Sequence, residues 1–190
     1  MPRRRYLFDP PDRFVAGTVG EPGSRAFFLQ ARDGSRVVSI LLEKVQVAVL
    51  ADRLGELLAE LERRGVPEVL AAVVDPTPGA GDAGPLDEPL NEAFRAGSLT
   101  LGWDGGASRI LVEARAQDEE GGAVDPDEDD DEDDDGPDLL RVRITAAAAR
   151  SFVARATRVV ASGRPPCPLC NQPLDPQGHI CPRRNGHYVN

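Results

Sequence analysis

Three cysteines and two histidines near the end of the sequence have residue types and a spacing typical of metal ligands. Cys167-Pro-Leu-Cys170 is a CxxC turn that aims two thiolates at one point, and its prolines restrict the backbone. His179 and Cys181 are two residues apart, so both side chains point to the same side of an extended segment. This combination suits zinc best, and it predicts a tetrahedral Cys3His site formed by Cys167, Cys170, His179 and Cys181.

The fourth ligand has a second candidate in His187. This histidine lies six residues after Cys181, and the Arg-Arg-Asn-Gly segment before it could turn it back toward the thiolates. We favour His179 because its geometry requires no special loop. Four protein ligands leave no open coordination position and make the site structural, whereas three ligands and a water would permit metal-assisted hydrolysis. We expect the structural form.

The distribution of charge decides how the net charge of −10 is interpreted. Of the 32 acidic residues in this chain of 190 residues, 13 lie between Asp118 and Asp135, and the rest of the chain carries a net charge of +3. Nine acids follow one another from Asp127, and such a run repels itself, which predicts a disordered acidic insert at 118–137. Its expected role is to keep the chain soluble. The alternative is that it mimics nucleic acid and covers a basic surface of the same molecule.

The cellular compartment is predicted from the cysteines and from the lack of long apolar segments. An odd number of clustered cysteines, without a signal peptide, favours metal binding over disulfides. No stretch approaches the roughly 20 apolar residues of a membrane span. We therefore expect a soluble cytoplasmic protein with no membrane association.

The elements before this cysteine tail begin with three short strands and a helix. The predicted strands, separated by turn sequences, are Phe14 to Val19, Arg25 to Arg32 and Arg36 to Leu42. Apolar residues then recur every three or four positions from Val45 to Arg64, which predicts a helix with one apolar face. Gly65 is the expected left-handed cap, and the proline two residues later prevents continuation.

The same order of elements follows a second time. Three more strands are predicted at Phe94 to Leu99, Arg109 to Arg115 and Leu139 to Ile144. A second helix is expected from Ala146 to Ser162, with Thr145 as its N-cap and Gly163 at its end. The two halves agree in the order of three strands, a helix and a terminal glycine. This agreement indicates an internal duplication and an α+β fold of two tandem βββα units, whose sheets merge or pack face to face. The predicted divisions are a first unit at 1–74, a linker at 75–91, a second unit at 92–163 and a zinc-binding tail at 164–190.

Three segments are long and specific: YLFDPPDRFVAGTVGEPGSRAFFLQAR from Tyr6, LEKVQVAVLADRL from Leu42 and GRPPCPLCNQPLDPQGHICPRRNG from Gly163. Through them nearly the full chain resembles an uncharacterised bacterial family known only as a conserved domain of unknown function. The resemblance implies a cytoplasmic protein with a cysteine-rich end, and it supplies no activity. The GHxCPRxNG motif of that family falls on residues 178–186, which supports His179 over His187 as the ligand.

These observations favour a non-enzymatic adaptor or regulatory protein, in which the zinc tail braces the fold or docks a protein partner. The sequence contains no signature of a phosphate-binding loop or of the common hydrolases, and its only histidines lie in the cysteine tail. Two alternatives stay open. One is a nucleic-acid-associated protein whose acidic insert modulates a basic surface, although an aromatic content of 5% is low for base stacking. The other is an enzyme that acts on an anionic metabolite through an arginine pocket, with no residues assigned.

Overall fold

The strands and helices were located in a computed structural model. It describes residues 3–74, 82–118, 120–123, 136–163, 167–170, 181 and 183. The strands within these residues are β1 (Arg5–Phe8), β2 (Arg13–Val19), β3 (Ala26–Asp33), β4 (Arg36–Leu42), β5 (Glu92–Asp104), β6 (Arg109–Ala116) and β7 (Leu139–Ile144). The helices are α1 (Lys44–Arg63), α2 (Pro67–Val74) and α3 (Ala146–Ala161).

All seven strands belong to one sheet with the order β1-β7-β6-β5-β4-β3-β2. β2, β3 and β4 form an antiparallel meander, and so do β5, β6 and β7. The two meanders meet where β4 and β5 pair in parallel, with Ser39 opposite Glu92. β1 pairs in parallel with β7, with Arg5 opposite Leu139. The fold is therefore a mixed α+β architecture in which one continuous sheet supports the three helices.

The sheet is strongly curled, because its two edge strands are consecutive in the chain. Only residues 9–12 separate β1 from β2, so the facing ends of these strands lie at most about 18 Å apart. A flat sheet of seven strands would separate its edges by about 29 Å. Contacts between β4 and β1 agree with this curl. Arg36 on β4 donates from Nη1 to the carbonyl of Leu7 on β1 at 3.1 Å, and its guanidinium lies 4.6 Å from the ring centroid of Phe8.

The core lies between one face of this sheet and the helices. Alternate strand residues such as Leu29, Ile40 and Val112 are almost fully buried, as the period-two pattern of a strand requires. Helix α1 buries one apolar stripe made of Val47, Leu50, Ala51, Leu54, Leu58 and Leu61. Helix α3 contributes Phe152, whose ring stacks on Phe14 with a centroid distance of 4.9 Å.

The helix ends match the sequence patterns in part. Thr145 is the N-cap of α3 and accepts a hydrogen bond from the Ala148 N–H at 3.1 Å, as predicted. Gly65 follows α1 with a φ of +71°, the left-handed conformation expected of it. Gly163 does not adopt a positive φ, and Ser162 is the cap residue of α3 instead. Pro67 begins α2, because proline is favoured in a first helical turn. The sequence patterns predicted neither α2 nor β1.

Residues 82–87, part of the predicted linker, are bound to edge strand β2 by two arginines. Arg13 on β2 donates to the carboxylates of Asp82 at 2.6 Å and Asp87 at 2.7 Å. Arg155 on α3 is only 7% exposed, and it donates to the Ala16 carbonyl at 2.7 Å and the Asp82 carbonyl at 2.8 Å. We call Arg13, Arg155, Asp82 and Asp87 the arginine clasp. It ties α3, the third helix of the chain, to the first meander.

The same segment also covers the sheet face opposite the core. A Cβ atom built on Gly17 would lie 2.6 Å from Leu86 Cδ2, so only glycine leaves room for this leucine. The buried amide of Gln30 donates to Ser39 Oγ and to the Asp87 carbonyl, both at 2.9 Å, and accepts from the Asp87 N–H at 2.8 Å. These contacts hold residues 82–87 in place over β2 and β3.

Candidate metal centre

Three thiols converge beyond the end of α3. Cys167 and Cys170 lie on the turn formed by residues 167–170, and their sulfurs and that of Cys181 all lie within 4.8 Å of one another. The Sγ atoms of Cys167 and Cys181 are 3.9 Å apart. Cys167 and Cys181 are buried and Cys170 is half-buried. Three of the four predicted ligands therefore come together in space.

The distances fit a shared metal ion and do not fit a disulfide. Zinc–sulfur bonds of about 2.3 Å in a tetrahedral site place neighbouring sulfurs about 3.8 Å apart. A disulfide requires sulfurs about 2.05 Å apart, and all three cysteines are free thiols. The three sulfurs can therefore hold a metal ion as one face of a tetrahedron.

The turn itself prepares Cys167 to bind a cation. The backbone N–H of Cys170, followed by that of Leu169, donates to the Cys167 sulfur and lowers the pKa of Cys167 to about 6, against the opposing effect of burial. Hydrogen bonds from the thiols of Cys170 and Cys181 also lower the pKa of Cys167. The thiolate is the form that binds metal, and such hydrogen bonds also fix the orientation of the ligand.

The end of α3, which precedes this turn in the chain, is held by an arginine. Arg25, immediately before β3, donates from Nη1 to the Ser162 carbonyl at 2.6 Å and to its hydroxyl at 3.0 Å. These bonds hold the residue that caps α3, five positions before Cys167. His179 and His187 both lie outside the described residues, so the identity of the fourth ligand stays a prediction.

Other groups with shifted pKa values belong to ion pairs that hold the fold together. Arg13 lowers the pKa of Asp82 by hydrogen bonding, and Asp82 in turn raises that of Arg13. Burial lowers the pKa of Arg155, and the Asp82 carboxylate opposes this shift. On α1, Arg64 lowers the pKa of Glu60. Ion pairing accounts for the shifted pKa values of Asp82, Arg13 and Glu60, and burial accounts for that of Arg155.

Several arginines that could contribute to a basic surface for nucleic acid are engaged in ion pairs. Glu113, which is buried, forms ion pairs with Arg115 at 3.2 Å and with Arg141. Arg143 pairs with Asp9 at 3.2 Å. The acidic run from Asp127 to Asp135 lies outside the described residues. Within the described part of the chain, no helix combines the length and apolar composition needed to span a bilayer.

Comparisons with known proteins identify a family without an assigned activity. No curated protein matches the chain significantly, and neither does any solved structure. The family described as "Protein of unknown function (DUF3090)" matches residues 6–181, which include the sheet except for its first residue, the clasp and all three cysteines. The chain therefore belongs to this family.

Proposed function

We propose that this chain is a non-enzymatic adaptor or regulatory protein with a structural zinc ion bound by Cys167, Cys170, His179 and Cys181. The convergence of three sulfurs within 4.8 Å carries this proposal. A set of three thiolates favours zinc among the common divalent ions, and a histidine as fourth ligand closes the site to water. The zinc ion would supply a cross-link between the turn at 167–170 and the following segment.

The adaptor role is supported by apolar side chains held in solvent. Leu169, between the two cysteines of the turn, is 51% exposed. A metal-braced turn that presents a leucine outward is suited to dock into an apolar pocket of a protein partner. Val45 and Val49 on α1 are also exposed and offer a second apolar surface. Loss of the metal would release the turn and weaken the partner complex.

The evolutionary and cellular parts of the proposal rest on separate observations. The two meanders are each followed by a helix, which supports tandem βββα units at 1–74 and 92–163, joined by a linker at 75–91 and followed by the tail at 164–190. Three free thiols support a reducing compartment, and we infer the cytoplasm.

The zinc assignment is tested by the metal content of the full-length protein. We expect one zinc ion per chain in the wild type, and a loss of zinc in Cys167→Ser and Cys181→Ser. His179→Ala and His187→Ala are matched controls for each other: zinc should be lost in the first and retained in the second. Full stoichiometric zinc in Cys167→Ser would show that the thiols are not its ligands.

The adaptor role is tested with Leu169→Asp, which retains every proposed metal ligand. We expect the wild-type chain to capture a defined partner from a lysate of its own organism, and Leu169→Asp to lose that partner while keeping its zinc. Leu70→Asp, at a leucine of α2 that is 44% exposed, is the matched control and should capture it normally. Equal capture by Leu169→Asp and the wild type would contradict the proposed docking surface.

A further inference from the structure

A cleft of about 570 Å³ opens where the residues before β3, the start of α1 and the last turn of α3 meet. Its lining includes Arg25, Phe27, Lys44, Val159 and Val160. A second depression of about 420 Å³ shares Arg25, Phe27 and Lys44 and extends along β4 to Arg95. Volumes of this size are typical of sites for small molecules.

Two cations line this cleft, and neither has a carboxylate partner within the described part of the chain. Arg25 directs Nη1 to the neutral oxygens of Ser162, and no described residue accepts a hydrogen bond from its buried Nε. The Lys44 ammonium lies beside Gly163, since a Cβ built there would be 3.5 Å from Nζ. Among the residues that the structure describes, no acid forms an ion pair with either cation.

Most other cations on α1 and α3 have a carboxylate partner among the described residues. On α1, Arg53 pairs with Glu56 at 2.9 Å, and on α3, Arg150 pairs with a glutamate of α1. Arg95, at the far end of the second depression, pairs with Glu43 at 2.9 Å. Within the described structure, Arg25 and Lys44 therefore keep positive charge that no carboxylate compensates.

The surface beneath these cations is apolar. The Phe27 ring, only 8% exposed, and the half-buried Val159 and Val160 form it. An apolar surface next to two uncompensated cations complements a ligand with an apolar body and one anionic group. The body would be buried against the apolar side chains, and the anionic group would accept charge-assisted hydrogen bonds from the cations.

We propose that this cleft binds a small amphipathic anion, a carboxylate or phosphate monoester with a short hydrocarbon or aromatic body. Lys44 and Arg25 hold the anionic group, and Phe27 and Val160 pack against the body. None of the three cysteines lines either depression, so the proposed site uses no metal ligand. It gives the protein a small-molecule ligand in addition to its proposed partner.

The single lysine of the sequence makes the test direct. Reductive methylation with ¹³C-formaldehyde labels only Lys44 and the N-terminal amine, and dimethyl-lysine keeps its positive charge. The full-length protein is titrated with hexyl phosphate and with hexanoate while both methyl signals are followed by ¹H–¹³C NMR. We expect the Lys44 signal to shift saturably with at least one probe, and the N-terminal signal to stay unchanged. The probe with the higher affinity identifies the preferred anionic group.

Variants and matched ligands complete the design. Arg25→Gln should weaken binding at least about tenfold, the loss expected for one charge-assisted hydrogen bond. Arg53→Gln, at an exposed arginine elsewhere on α1, should bind as the wild type does. Hexanol and inorganic phosphate, which each carry half of the proposed chemistry, should bind at least about tenfold more weakly than the better probe.

Three results would overturn the proposal. The first is the lack of a saturable Lys44 shift with either probe up to about 10 mM, a concentration at which even millimolar affinity is detected. The second is equal binding of hexanol or inorganic phosphate, which would remove the need for an amphipathic anion. The third is unchanged affinity in Arg25→Gln, with circular dichroism showing that the variant is folded.

Discussion

Replacing Arg155 by methionine tests whether the arginine clasp stabilises the fold. The guanidinium donates to the carbonyls of Ala16, Asp82 and Gly84 at 2.7–2.8 Å and to the Asp82 carboxylate at 3.0 Å. Methionine keeps an unbranched apolar stem of similar length but none of these donors. Arg155→Met therefore removes the hydrogen bonds with little loss of packing against α3 and β2.

The expected loss follows from these bonds. A hydrogen bond to a charged group contributes about 1.5–3 kcal/mol, and removing one partner of a buried ion pair costs about 3–5 kcal/mol. Asp82 keeps Arg13 as a partner at 2.6 Å, which limits the damage. We expect Arg155→Met to lower the free energy of unfolding by about 3–4 kcal/mol. Arg155→Lys should fall in between, because one ammonium cannot reach all three carbonyls.

Equilibrium unfolding in urea, followed by circular dichroism, measures this loss. With an m-value of about 2 kcal/mol per molar, the midpoint should fall by roughly 1.5–2 M. Arg158→Met is the matched control, since Arg158 is exposed one turn away on the same helix, and it should change stability by less than about 0.5 kcal/mol. A loss below about 1 kcal/mol in Arg155→Met would refute the stabilising role of the clasp.

The pKa of Asp82 is lowered by its arginine partner, so its stabilising effect is complete above the ordinary carboxyl pKa of about 4 and is lost as the pH falls through the lower folded value. Asp82→Asn should therefore differ from wild type at pH 7 and converge on it near pH 2 in urea unfolding, and a difference independent of pH would contradict this role. Gly17→Ala should destabilise by about 1–3 kcal/mol because its Cβ meets Leu86, and Leu86→Ala should recover part of that loss. Strict additivity of the two changes would show that residues 82–87 do not cover β2 there. Thr145→Ala should lower the free energy of unfolding by about 1 kcal/mol, measured by thermal unfolding, because it removes the N-cap of α3. Thr157→Ala, at an exposed threonine of the same helix, is the control. Equal losses of stability in the two variants would argue against a capping effect.

Local patterns predicted the elements well where one interaction dominates. The apolar stripe of α1 and the N-cap of α3 depend on neighbours within a few positions, and the structure places both within one residue of the prediction. β1 was missed because four residues are too few for a period-two signal, and because its partner β7 lies more than 130 positions later. Pro67 was interpreted only as a stop, although the same fixed φ also favours the start of α2.

The cysteine cluster was predictable for a related reason. A CxxC turn places its two thiols by local backbone geometry, and the soft chemistry of thiolates narrows the metal before any tertiary contact is known. The cleft was predictable only in part. Arg25 and Lys44 flank the β3–β4 hairpin, whose register pairs Phe27 with Leu42 and so brings both cations to the same end of it. The end of α3 adds Val159 and Val160, and nothing in the sequence around residues 25 and 44 indicates that contact.

Arg155 shows which sequence signal could have revealed the clasp. It lies three residues after Phe152 and beside Ala156, within the stripe by which α3 packs on the sheet, so its charge interrupts an apolar face. A charged side chain cannot be buried there unless it finds acceptors, and this position therefore required partners from elsewhere in the chain. The predicted linker supplies them through its aspartates and carbonyls. A segment that composition marks as a spacer thus completes the core, because it neutralises a charge that the helix carries into the interior.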